Sequence, residues 1–403
     1  MFQIRSCLAN GLVAGALASA VLLLPVRAAE AASETVVYSF KKNDKDGRQP
    51  SAGLLSANGN LYGTTFAGGA NSGGTVFSVN ATAGVETVLY SFCNQPSCAD
   101  GANPAAGLID LSGTLYGTTS KGGASGGGTV FSVNTKTGAE TAVYSFCSHA
   151  NCADGASPMA GLINVNGILY GTTAGGGAKG SGTVFGVSPK IGVETIVYSF
   201  SGAQSWDGAN PMAGPVNVGG TFYGTTYKGG VYGLNSGTIF KFNPKTGAET
   251  AVYAFCSQHC WDGANPTAGL IAVNGALYGT TSAGGVYNLN SGTLFSFDPK
   301  THAMIEKYAF GAGADGAYPN AGLIAVNGTL YGTTSGGGAN GVGTVFSYTP
   351  ATGFETVLHS FQKGSTDGTH PYGGLTNVNY TLFGTTPNGG ASGEGTVFKV
   401  TLP

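Results

Sequence analysis

From residue 34 onward the chain alternates short apolar runs with stretches rich in glycine, threonine and asparagine. "GTVFSV" and "ETAVYSF" set large apolar side chains between small or polar ones at a period of two, the pattern of half-buried strands. "AGLIAV" is a shorter apolar run, followed across a two-residue link by "LYGTT". The link is Asn-Gly at Asn58, Asn166, Asn274 and Asn327. Asn-Gly between apolar runs predicts a type I′ hairpin, because both central residues need positive φ. At Asn379-Tyr380 the glycine is missing, which predicts a less favourable turn. No helical period of useful length follows residue 33, so the pattern reads as strands throughout.

The pattern repeats. The Tyr of Y-G-T-T stands at Tyr62, Tyr116, Tyr170, Tyr223, Tyr278 and Tyr331, with Phe383 in the seventh copy, at steps of 54, 54, 53, 55, 53 and 52 residues. Three other elements keep step: G-T-V-F from Gly74 to Gly395, the outer-strand motif from Glu34 to Glu355, and D-G-x-x-P at Asp46, Asp100, Asp154, Asp207, Asp262, Asp315 and Asp367. Four antiparallel strands per unit, seven times, predict an all-β, seven-bladed β-propeller spanning residues 34–403 as a single domain. A parallel β-helix is the rival, but its repeats are shorter and lack Asn-Gly hairpins. The last unit ends at its third strand. Residues 34–40 are expected to supply its fourth, closing the ring and removing exposed sheet edges. A ring so closed is expected to be monomeric.

Composition changes the picture in two places. Glycine is 71 of 403 residues and charged residues are 9%, where about 25% charged is usual. The 42% hydrophobic content nevertheless excludes a disordered chain. A net charge of −2 without a basic cluster excludes nucleic acid as a partner. At the N-terminus, "MFQIR", an apolar run and "RAAEAAS", with Ala29 and Ala31 in an A-x-A pattern, predict an export signal over residues 1–31 that is removed. Asn10, Gly11 and Gly15 disfavour a retained anchor, and no later stretch reaches membrane-spanning length. The chain is therefore expected to be secreted or periplasmic, with no membrane span after signal removal.

Beyond Cys7, six cysteines lie in three close pairs, Cys93 with Cys98, Cys147 with Cys152 and Cys256 with Cys260. In an exported chain they read as disulfides, each closing a short loop worth roughly 2 kcal/mol. Zinc is the alternative, since His149 and His259 lie inside two of the loops, but each loop offers at most three ligands.

L-Y-G-T-T, then Gly-Gly, then G-T-V-F, in seven copies, resembles the bacterial GloVer-type tandem repeat family over essentially all of residues 34–403. The layout also resembles the kelch repeat without its Trp. The resemblance implies exported, propeller-like proteins, often surface-attached through C-terminal anchors, and no established activity. The ending "TVFKVTLP" carries no such anchor, so attachment through the C-terminus is not expected.

Candidate chemistry is sparse. Of 19 acidic residues, fourteen belong to the repeating Asp and Glu positions. The seven Asp are expected to fix turns through their side chains. A Ca²⁺ ring at one channel mouth is the sharper idea, but the acidic clustering of a calcium loop is absent, and no metal or cofactor is expected. "GASGG" matches G-x-S-x-G by spelling alone, since it lies in a glycine loop between strands. Departures from the repeat say more. Trp206 and Trp261, the only tryptophans, precede Asp-Gly in the loops entering units four and five. The same units extend the loop after Y-G-T-T and carry Tyr227, Tyr232 and Tyr287. Aromatic rings and Asn on one rim suit a carbohydrate, or a peptide of a surface protein; mutual packing is the bland alternative. The expected function is a non-catalytic recognition module. A structural envelope or matrix protein is the second expectation, and a polysaccharide-active enzyme with a channel-mouth site the third.

Overall fold

The computed structural model describes residues 32–402, apart from residues 44, 203, 231–233, 258–259, 286–289, 312–313 and 365. The export signal expected at 1–31 and the rim residues Tyr232 and Tyr287 lie outside the described residues. Residues 32–402 form one compact unit, built as seven antiparallel blades of four strands each and arranged as a β-propeller, with one extra short strand, Ala102–Pro104, on the sheet of blade two. In the first blade the strands run, from the axis outward, Leu55–Ala57, Asn60–Thr65, Thr75–Asn80 and Glu86–Ser91. The other blades follow the same order. Every third and outer strand are offset by a bulge, as between Val76 and Phe77.

Each word of the repeat has a packing task. Leu61 is fully buried, in a cluster with Phe77 of its own blade and Phe383 of blade seven. Tyr62 points the other way and packs with Leu108 and Phe131 of blade two. Gly63 is required because a Cβ there would lie 2.6 Å from Phe77 Cζ. The first Thr crosses between blades: Thr64 Oγ1 donates to the Ala106 carbonyl at 3.1 Å. The second stays at home, with Thr65 Oγ1 2.8 Å from Thr75 Oγ1.

These bonds recur seven times, and the crossing bond completes the circle when Thr385 donates to the Ala52 carbonyl at 2.8 Å. Ser33–Ser39 pairs antiparallel with Thr396–Thr401, so the N-terminal strand completes blade seven. Around the axis the glycines of x-A-G touch in sequence, and the chain of contacts returns from Gly374 to Gly53. Apolar clusters between adjacent blades hold the wall of the ring; one sheet alone would leave both faces wet.

The Asn-Gly turns have positive φ at both central residues, as at Asn58 (51°) and Gly59 (78°). The seventh hairpin keeps this geometry and forces Tyr380 to φ 61°. The three cysteine pairs are disulfides, and among the described residues no helix is long and apolar enough to cross a membrane.

Candidate functional site

The loop entering each blade and the loop after Y-G-T-T lie together on one face, because their backbones pair. In unit four Ala209 N–H donates to the Lys228 carbonyl at 2.8 Å and Lys228 N–H returns to Ala209 at 3.0 Å. In unit five Ala264 and Ala283 repeat the exchange. Trp206 and Trp261 occupy matching places in adjacent entry loops and are 67% and 52% exposed, unusual for the largest apolar side chain. Tyr227 is half-buried. Its backbone N–H donates to the Asn210 carbonyl at 3.1 Å, and its own carbonyl accepts from Asn265 Nδ2 of the next entry loop at 3.0 Å. The rim of units four and five is thus stitched through side-chain amides. Disulfides brace the entry loops of blades two, three and five; the last of them, Cys256–Cys260, sits next to Trp261.

The central channel has a different character. A cavity of about 220 Å³ is lined by x-A-G from all seven blades, including Met159, Met212, Thr267 and Tyr372. Among the described residues no carboxylate or imidazole lines it. The seven Asp do not ring it; they are spent at the outer strands. Tyr90 Oη donates to Asp100 Oδ2 at 2.8 Å, and the Asn94 backbone N–H donates to the same oxygen at 2.9 Å. Six units share this Tyr–Asp bond at 2.6–2.9 Å. In the seventh, His359 replaces the Tyr and its Nε2 lies 3.1 Å from Asp367 Oδ2. The Asp therefore ties the entry loop to the end of the preceding outer strand.

A grouping that sequence reasoning missed lies in the same crevices. The Glu opening each outer strand faces the Asp of the loop that enters its own blade. Burial, reinforced by the Asp46 charge, pushes the Glu86 carboxyl up to about 7. Burial followed by the neighbouring Asp does the same for Glu140, Glu194 and Glu355, and carries Glu249 to about 8. In Glu34, Glu86, Glu140, Glu194, Glu249 and Glu355 the Oε1 atom is buried without a hydrogen-bond partner. Such carboxyls keep a proton near neutrality. The signal was present as the lockstep of E-T-x-x-Y with D-G-x-x-P, but each Asp meets the Glu at the far end of its own blade and not the nearer Glu before it, which only the ring geometry shows.

The repeat has relatives that share this layout. The profile of the Gloeobacter/Verrucomicrobia repeat matches residues 26–236 and again 233–403. The chain belongs to the Gloeobacter/Verrucomicrobia repeat family. No curated protein matches this member of the family in sequence. Among solved structures it is similar to the extracellular domain of a putative one-component system from B. thetaiotaomicron, with TM-score 0.57 and 9% identity over 91% of this chain. The chain spans 40% of that protein's length. It is also similar to an oligogalacturonate lyase in complex with manganese, with TM-score 0.54 and 12% identity over 93% of this chain and 97% of that one. A Vibrio parahaemolyticus oligogalacturonate lyase gives TM-score 0.52 and 8% identity over the same shares. At these identities the family member has the propeller fold in common with them, and nothing finer follows.

Proposed function

We propose that this repeat-family propeller is an exported, non-catalytic recognition module that binds a carbohydrate on the rim of units four and five. The observation that carries the reading is the pair of exposed indoles, Trp206 and Trp261, at equivalent places in adjacent entry loops. A flat ring covers the apolar face of a sugar, and the neighbouring amides and backbone groups take the hydroxyls. Repetition at one blade's spacing suits an extended polymer, which meets the same element twice. The three disulfides support export, since such bonds persist in oxidising compartments. The small, neutral lining of the channel gives acid/base chemistry no foothold there, since glycoside hydrolysis needs two carboxylates in one cleft. Titration with soluble polysaccharides while following tryptophan fluorescence tests the proposal. A saturable change in the wild type, lost in Trp206→Ala and Trp261→Ala with the circular dichroism unchanged, is the expected result. If no polysaccharide perturbs either indole, the recognition reading fails and a structural envelope role takes its place.

A further inference from the structure

The crevice between blades six and seven differs from the other six in one residue. Elsewhere a phenol from the preceding outer strand donates to the loop Asp; here the imidazole of His359 stands in its place. One ligand atom each from Glu34, His359 and Asp367 can be chosen so that all lie within 4.8 Å of one another. Among the described residues no other group of three such side chains comes together. We propose that Glu34, His359 and Asp367 bind a divalent first-row transition-metal ion, zinc being the reference case, which ties the ring-closing strand to blade six.

The donor set is one imidazole nitrogen and two carboxylate oxygens. That combination suits zinc and its first-row neighbours, whereas Ca²⁺ takes six to eight oxygens. Donors about 2.1 Å from a tetrahedral ion stand about 3.4 Å from each other. His359 Nε2 and Asp367 Oδ2, at 3.1 Å, are already near that spacing, and Glu34, within 4.8 Å of both, closes the set by a movement of about 1.5 Å or less. Asp367 is 6% exposed and is aimed by two backbone donors, Gly368 N–H to Oδ1 at 2.7 Å and Gln362 N–H to Oδ2 at 2.9 Å. Backbone bonds of this kind hold a ligating carboxylate in place. Glu34 Oε1 is buried without a hydrogen-bond partner, so an ion would satisfy an oxygen that the protein leaves bare. Three protein ligands leave a fourth position for water. Coordination needs a free Nε2 lone pair on His359 and both carboxyls ionised, as metal binding to such side chains generally does.

The placement gives the ion a structural task. Glu34 lies on Ser33–Ser39, which completes blade seven, and His359 on Phe354–Ser360, the outer strand of blade six. A metal bond would therefore join the two ends of the chain across the crevice beside the closing seam. An ion that binds only the folded ring raises its stability by mass action.

The test compares the wild type with His359→Tyr, which restores the residue that six units already use and so leaves the fold intact. Both are stripped with EDTA, dialysed and titrated with zinc in a calorimeter, and melted with and without the metal. The wild type is expected to take up one more zinc than the variant, or to bind it at least about 10-fold more tightly, and to melt higher in its presence. Glu34→Gln keeps the side-chain shape, should lose the same binding, and serves should His359→Tyr misfold. Because His149, His259, His302 and His370 remain in every variant, background binding cancels. Equal zinc uptake and equal melting shifts in the wild type and both variants, or no uptake by the wild type, would overturn the proposal.

Discussion

Tyr380 sits in a conformation that its side chain resists. At φ 61° the Cβ crowds the backbone, at a cost of roughly 1 kcal/mol relative to glycine. The other six units place glycine at this position, four of them as Asn-Gly. The ring of Tyr380 is 58% exposed and accepts only a long bond from Asn327 Nδ2, 3.4 Å, so little is lost with it. Tyr380→Gly is therefore expected to raise stability by about 1 kcal/mol, read as a higher urea midpoint at unchanged slope. An unchanged or lower midpoint would show that the ring packs better than its exposure suggests. The crossing threonines behave in the opposite sense. Thr64→Val keeps the shape and removes the only side-chain bond from blade one to the Ala106 carbonyl, so a loss of about 1–3 kcal/mol is expected. The second Thr has a second donor in its circuit, since the Thr75 backbone N–H also donates to Thr65 Oγ1, and Thr65→Val should cost at least as much.

Strands and hairpins were legible because each is a local pattern. Period-two alternation named the strands, Asn-Gly named the turns, and six cysteines in close pairs named three bridges that the structure contains. The ring closure was legible too, since a unit ending at its third strand asks for the orphan "ETVVYSF". What escaped is chemistry assembled from separate segments. Glu86, Asp46 and Tyr38 come from a strand of blade one, an entry loop and a strand of blade seven, and no spacing along the chain announces that they meet. Trp206, Tyr227 and Trp261 could be singled out because they depart visibly from the repeat, whereas the backbone and amide bonds around them leave no mark in the sequence. The bridges themselves pin loops and do not hold blades. Cys93→Ser combined with Cys98→Ser is expected to cost about 2 kcal/mol and to leave the β-sheet circular dichroism spectrum intact. Loss of that spectrum would assign the bridge a larger part than a short loop allows.

Every blade ends in the same kind of outer strand, and only in blade seven does that strand come from the far end of the chain, so the ring's weak point is the seam. Without Ser33–Ser39, Thr396–Thr401 would be a bare edge strand, with Phe40 also withdrawn from the cluster beneath it. A chain lacking residues 33–40 is expected to oligomerise or aggregate through that edge, visible as a shift in light scattering, and a stable monomer would contradict the closure argument.

The ring also gathers its protonated glutamates into a collective response to pH. Glu86, Glu140, Glu194 and Glu355 have folded pKa values near 7 and Glu249 near 8, against an ordinary value of 4.5. Below pH 4.5 both states hold these protons and the groups are neutral to stability. Between 4.5 and about 7 the unfolded chain ionises while the fold keeps its protons, so the fold binds more protons and stability falls as pH rises. Asp154 acts in the other direction. Burial alone would raise its pKa, but bonds from the Ser148 backbone, the Tyr144 hydroxyl and the Ser148 hydroxyl outweigh it and hold the carboxyl below 3.8. Its contribution is present above pH 3.8 and lost as pH falls through the folded value. Together these predict greatest stability near pH 4.5–5, with the urea midpoint declining steadily to pH 8. Glu249→Gln should shallow the decline and gain most at pH 8, where the wild-type carboxylate is forced to ionise beside Asp207. A midpoint that climbs between pH 5 and pH 8 would mean that these glutamates are ionised in the fold and paired with cations.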